Sequence, residues 1–424
     1  MVFKVFFVTL CIAGCNGGVT QQSVLTDQPV TTNQRDLMSD TWVAVDHLGR
    51  TLPGHETCGS LRKDKYVGVF YFTWHGTHGY DEHFNSIDEG QGVLPKTDRE
   101  YKGPYDTTLI FKHEPGKRPW GPPNAFHHWG QPEMGYYLSN DEYVIRKHCQ
   151  MLVDAGVDVL ITDITNGITY RDVYLNICRI FRDIRNSGEQ TPQIAFIANS
   201  GSVTTVQKLY DEFYSKSLYP ELWFHWKGKP LLLAPSEGLS KEILDFFTIR
   251  QSWAWSYAPW FGDKPAPWFG DGKDKWPWID YYPQQPGWHE SPDKPEQISV
   301  SVASHPMFNI GRSYHGGKQP SPENVRTSEG LHFAEHWERA LEVDPEFILI
   351  CGWNEWTAMR MISKGEGERF AGQLIPKGGS FFVDSCTEEF SRDIEPMKDG
   401  YGDAYYYQMT DNIRRYKEIG RAHV

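Results

Sequence analysis

"EFILICGWNEW", residues 346–356, decides the fold. Phe347, Ile348, Leu349, Ile350 and Cys351 run without polar alternation, which reads as a strand buried on both faces. The run breaks at Gly352 and delivers a carboxylate, Glu355, between Trp353 and Trp356. A lone acid among apolar side chains is costly unless structure or chemistry requires it.

The same plan repeats upstream. "KYVGVFYFTW" (65–74), "VDVLITDIT" (157–165), "QIAFIANS" (193–200), "KPLLLAP" (229–235), "FTIRQSWAW" (247–255), "WIDYYP" (278–283) and "ISVSVAS" (298–304) are the other strand candidates. Helical periodicity separates many of them, at 141–156, 171–188, 203–216 and 331–343, with a last helix at 403–420. Alternating strands and helices on this scale predict an α/β chain closed as a (β/α)8 TIM barrel, with long aromatic-rich loops after the strands. An open doubly wound sheet is the alternative, but neither GxGxxG nor GxxxxGK[ST] follows any strand.

Composition narrows the function. The 424 residues carry a net charge of −13 with no basic block, so nucleic acid is an unexpected partner. Aromatic residues make up 14%, including 16 Trp, and platforms for a flat ligand are one use for such a surplus. The loop after the fifth strand carries "APWFGD" twice, at 258–263 and 266–271, either as a wall for sugar rings or as a local aromatic core. The seven cysteines show no CxxC or metal-type spacing, so no metal held by cysteine and no cofactor is expected; His75 and His78 are expected to bond substrate, with a metal at the histidines left open.

The N-terminus, "MVFKVFFVTLCIAGC", has one Lys and an apolar stretch too short to remain in a bilayer, so 1–15 reads as an export signal. "IAGC" resembles the bacterial lipoprotein box, which implies lipidation at Cys15, a membrane anchor and a place in the cell envelope. Residues 16–58 read as a flexible tether and 59–424 as the catalytic domain.

Polar residues at strand ends face the mouth of such a barrel. The catalytic candidates are Glu355, Asp163 in "LITDIT", and His75 in "TWHGTHGY". Trp74, His78, Asn199, Arg250, Asp280, Tyr282, His305, Trp353, Asn354 and Trp356 are the candidate substrate contacts. "FFVDSCTEEFSRDIEP" (381–396) is acid-rich; most of its charges are expected in solvent, with one or two, such as Asp384 or Glu389, reaching the cleft.

A strand ending in "WNEW", with "VGVFYFTWHG" at the first strand and "AGVDVLITDIT" at the second, resembles glycoside hydrolase families 71 and 99. The resemblance covers roughly residues 60–420 through short motifs only, and implies a sugar-cleaving barrel. In the mannosidase family a second carboxylate stands three residues after the first; here that position is Ala358. Glycoside cleavage ordinarily needs two carboxylates, so the second must come from elsewhere: Asp163, Asp280, Asp384 or Glu389. The expected function is degradation of a poly- or oligosaccharide by a glycoside hydrolase. Elimination on a uronic-acid sugar, with His75, His78, His305, His315, Arg250 and Arg312 as bases and cations, is the first alternative. A non-catalytic glycan-binding lipoprotein is the second.

Overall fold

The computed structural model describes residues 39–76, 107–114, 117–118, 120 and 126–419. The leader, Cys15 and His78 lie outside the described residues. Parallel strands form the centre: β1 (Tyr66–Tyr71), β2 (Val159–Ile164), β3 (Gln193–Ala198), β4 (Lys229–Leu233), β5 (Thr248–Arg250), β6 (Pro295–Ser301) and β7 (Phe347–Cys351). Across the sheet they run β5-β4-β3-β2-β1-β7-β6, so the first and last strands lie side by side. That adjacency is what a sheet curling toward a barrel requires.

Period-two alternation divides two cores. Phe70, Ile161, Ile197, Leu233, Phe347 and Leu349 face the inside of the curl. Val69, Leu160, Phe196, Leu232, Val300 and Ile350 face outward against the helices. Space inside is tight: a Cβ on Gly68 would lie 2.6 Å from the Phe347 ring. The outer layer includes α1 (Glu142–Asp154), α2 (Arg171–Asn186), α3 (Ser202–Leu209), α4 (Lys241–Phe246), α5 (Leu331–Val343) and α6 (Ala404–Lys417). Asp141 caps α1 by accepting from the Tyr143 and Val144 amides, and Ser240 caps α4 through the Ile243 amide.

The barrel expected from the sequence is not closed by a continuous ladder. In place of a sixth strand at 278–283, an irregular stretch runs beside β5's exit: Trp276 N donates to Gln251 O (2.8 Å) and Trp278 N to Trp253 O (3.0 Å). On its other side, the short strand Gly287–Trp288 pairs antiparallel with β6 and bonds back to the stretch through Asp274 N on Trp288 O (2.7 Å), and glutamine side chains bridge the rest. Gln297 Nε2 donates to Pro277 O, while Gln284 Nε2 donates to Ser299 O and His336 O. Pro277, Pro283 and Pro286 have no N–H to give to a ladder, which is why this edge resists regular pairing.

Two other expectations are corrected. Residues 40–58, read as tether, are packed onto the domain: Trp42 Nε1 donates to Asp154 O (2.9 Å), and Arg414 Nη2 donates to Trp42 O (2.8 Å). The stretch 357–402, one of the long loops expected after the strands, contains a small antiparallel sheet in which Thr357–Ile362 pairs with Phe126–His128 and Ser380–Phe382. The five described cysteines are buried and unpaired. Among the described residues no helix is long and apolar enough to cross a membrane.

Candidate active site

Gly352 makes the turn out of β7. Its φ is +91°, and a Cβ there would sit 2.3 Å from the Arg392 carbonyl oxygen, so the position needs glycine twice over. The turn brings the 384–393 segment down onto "WNEW", and this juxtaposition builds the site.

Glu355 is 9% exposed. Arg392 Nη2 lies 3.1 Å from Glu355 Oε2 and 3.2 Å from Asp384 Oδ1, bridging the two carboxylates with one nitrogen. The two oxygens therefore cannot be farther apart than these two contacts laid end to end. Asp393 Oδ1 accepts the Glu355 backbone N–H (2.6 Å), and Trp129 Nε1 donates to Glu355 O (2.7 Å), which fixes the backbone that carries the acid. Asp163, at the inward-facing end of β2, accepts from Trp74 Nε1 (2.9 Å) and the Thr165 amide (2.9 Å).

The electrostatics follow from this count. Glu355, Asp384, Asp393 and Asp163 act on one another, and Arg392 is the cation bound among them. Not all four can be ionised together without heavy cost. Burial pushes Glu355 well above the ordinary carboxylate range, opposed by Arg392 and reinforced by Asp384, Asp393 and Asp163. Burial also raises Asp163, against its two donors, and raises Asp393. Among the described residues Glu355 accepts from Arg392 alone, and burial, the largest influence on it, favours its protonated form against that cation. Burial opposes the charge on Arg392, yet the negative charge shared among the acids around it holds it cationic.

His305 joins the same field. Burial lowers it to about 4, with Asp384 raising and Arg392 lowering it. It is therefore neutral at pH 7, and because Nδ1 accepts from the Met307 amide (3.2 Å), Nε2 carries the hydrogen.

Other sequence candidates go elsewhere. Trp353 and Trp356 are fully buried on the helical side; Trp353 packs against His148 and Tyr406, and Trp356 stacks on Trp129 at 4.4 Å. Neither can be a sugar platform. Asn354 clamps β1's exit, accepting from Phe72 N (2.9 Å) and donating to Phe72 O (3.2 Å). His75 is buried beside Tyr137, its amide on Ser139 Oγ, and it lies outside the Glu355 cluster; burial keeps its ring neutral. Arg250 is bound by both Glu296 oxygens (2.6 and 2.7 Å), and Trp226 and Trp276 donate to the same carboxylate, so it fastens the floor of the curl.

Asp280 is fully buried and accepts from the Ser256, Tyr281 and Gln285 amides and the Ser256 hydroxyl, which makes it a loop anchor. Tyr282 turns toward His336 on the helical side, while its neighbour Tyr281 packs against the inner core and bonds the Tyr314 hydroxyl. Asn199 stands partly buried after β3. Trp74 is half-buried after β1, stacked near Tyr170 and bonded to Asp163.

Arg392 and Asp393 are functional candidates that the sequence reading missed. The 381–396 run, expected mostly in solvent, is largely interior: Arg392, Asp393 and Glu395 are buried, as is Glu389, which is consumed by Ser313, Gln319 and Thr327. Arg312 likewise goes to structure, donating to Glu388 O and Asp393 O between Tyr401 and Tyr405. The usable signal was a single Arg in an acid-rich stretch.

No family model and no curated protein matches this chain. Among solved structures it is similar to the GH99 endo-α-mannosidase from Bacteroides thetaiotaomicron, at 18% identity over 84% of this chain and 98% of that one, with a TM-score of 0.42. The same bacterium's GH99 endo-α-mannosidase in complex with bis-tris propane is similar at 16% identity, over 84% and 97%, with a TM-score of 0.44. A likeness of this degree leaves the reaction to be argued from the residues above.

Proposed function

We propose that the protein is a carbohydrate-active enzyme that cleaves a glycosidic bond in a poly- or oligosaccharide. The observation that carries this reading is the Glu355–Arg392–Asp384 bridge at the strand ends: a buried acid holding its proton beside a carboxylate whose side chain is 51% exposed. Glycoside hydrolysis needs such a pair, one carboxyl to protonate the leaving oxygen and one carboxylate to act at the sugar carbon or on water. Glu355 is the general acid. Asp384, the exposed partner, is assigned the second role in place of Asp163, the sequence's leading candidate for it. Asp163 holds Trp74, which lies beside them as a ring platform.

Elimination is less favoured by the same geometry. Gripping a uronate carboxylate requires a cation whose donors reach solvent, and Arg392 is 1% exposed, with both terminal nitrogens engaged by Glu355, Asp384 and the Ser304 carbonyl.

The pH dependence tests the assignment. An acid catalyst works only while protonated, so kcat/KM should fall as pH rises through the raised Glu355 value, well above the ordinary carboxylate range. A pH profile on a cleaved glycan checks this. An alkaline limb at ordinary carboxylate values, or no such limb, would count against Glu355 as the acid.

A further inference from the structure

The twin "APWFGD" repeats have diverged in role. In the second copy, Trp268 Nε1 donates to the Ala254 and Trp255 carbonyls (3.0 and 2.9 Å), and Phe269 is buried. That copy is a local core. In the first copy, Trp260 is 38% exposed and lies flat on Phe308, itself 41% exposed, at 3.8 Å and 7°. Two large aromatics stacked at this exposure form an unusual surface, whereas the second copy turns Trp268 onto backbone carbonyls and buries Phe269.

Trp255 supports this pair from beneath and joins it to the catalytic cluster. Its ring meets Trp260 at 5.0 Å, Phe308 at 5.5 Å and His305 at 6.2 Å, and His305 lies in the field of Asp384 and Arg392. Trp255 also has φ +64°, a conformation rare for a bulky residue. The fold holds it there through the Trp255 N–H on Ile279 O (2.6 Å) and the Asp280 carboxylate on the Ser256 N–H. Strain maintained next to a reactive cluster is a mark of a functional surface.

From this continuity we infer that Trp260 and Phe308 form an outlying subsite for the substrate glycan, stacking the apolar face of a pyranose ring one or more units away from the bond that is cut. The inference rests on the glycan reading given above and adds the place where the chain is held. Neutral hexose rings suit it best, because the patch offers C–H contact and no charge of its own.

The test is binding, separated from turnover. Glu355→Gln protein, alone and combined with Trp260→Ala or Phe308→Ala, is run in affinity gels cast with dextran, pullulan, yeast mannan, laminarin or alginate. Dissociation constants for retained polysaccharides follow from Trp fluorescence, and Trp268→Ala with a thermal melt serves as the control for the buried copy. The expected result is retention by a neutral polysaccharide, weakened roughly five- to tenfold by Trp260→Ala with an unchanged melting temperature. Trp268→Ala should lower the melting temperature instead. Equal retention with and without Trp260, or retention by none of the five, overturns the subsite. Trp260-dependent binding by a wild-type protein that cleaves nothing would uphold the subsite and sink the enzymatic reading.

Discussion

Replacing Glu355 with Gln is expected to lower turnover of the cleaved glycan about a thousandfold or more, within the range that removal of a positioned acid commonly costs. Gln preserves the side chain's shape, and Asp384 still pairs Arg392 from the other side, so the fold should survive. Asp384→Asn should be comparably damaging, because it removes the other half of the pair. Asp163→Asn should lose less, since Asn keeps one oxygen to accept from either Trp74 or the Thr165 amide and the acid–carboxylate pair itself stays in place. Initial rates on one substrate, with circular dichroism to confirm folding, separate the three. An Asp163→Asn loss larger than that of Asp384→Asn would transfer the second role to Asp163.

Arg392→Met is expected to be the most destabilising change at the site, by about 3 kcal/mol near neutral pH, because it leaves carboxylates buried without their cation. Arg392 is 1% exposed, also lies over the Trp278 ring at 5.3 Å, and cannot be replaced by water without rearrangement. The deficit should depend on pH in a defined direction. Glu355, Asp163 and Asp393 are raised in the folded state, so their protonated forms favour folding. That contribution is complete below the ordinary carboxylate range and is lost as pH rises through the raised values. Removing the guanidinium would raise them further, so the variant should lie near wild type at about pH 4 and fall increasingly behind toward about pH 8. Urea denaturation at several pH values measures this. A deficit constant across that range would mean that Arg392 contributes packing rather than charge.

The sheet was legible because its strands are long apolar runs bounded by polar exits, and hydrophobic burial alone specifies such elements. The sixth strand was misread. Trp278, Ile279, Tyr281 and Tyr282 have strand-like side chains, but the prolines around them deny the backbone donors a ladder needs. Glu355 and Asp163 could be located because each terminates a strand that had been identified. Their cation could not, since Arg392 approaches from a segment without periodicity and is placed by backbone contact with Gly352. The tryptophans flanking Glu355 illustrate the same limit. Local sequence puts them beside the acid, whereas the turn after β7 directs both indole rings into the helical layer.

The central claim is that this site adds water across a glycosidic bond with Glu355 as the acid. Mass spectrometry of the products, from wild type and Glu355→Gln on the same polysaccharide, tests it most directly. The expected products carry the mass of one water for each bond cut and disappear with the Gln variant. Products short of that water and bearing an unsaturated ring, or undiminished cleavage by Glu355→Gln, would contradict it.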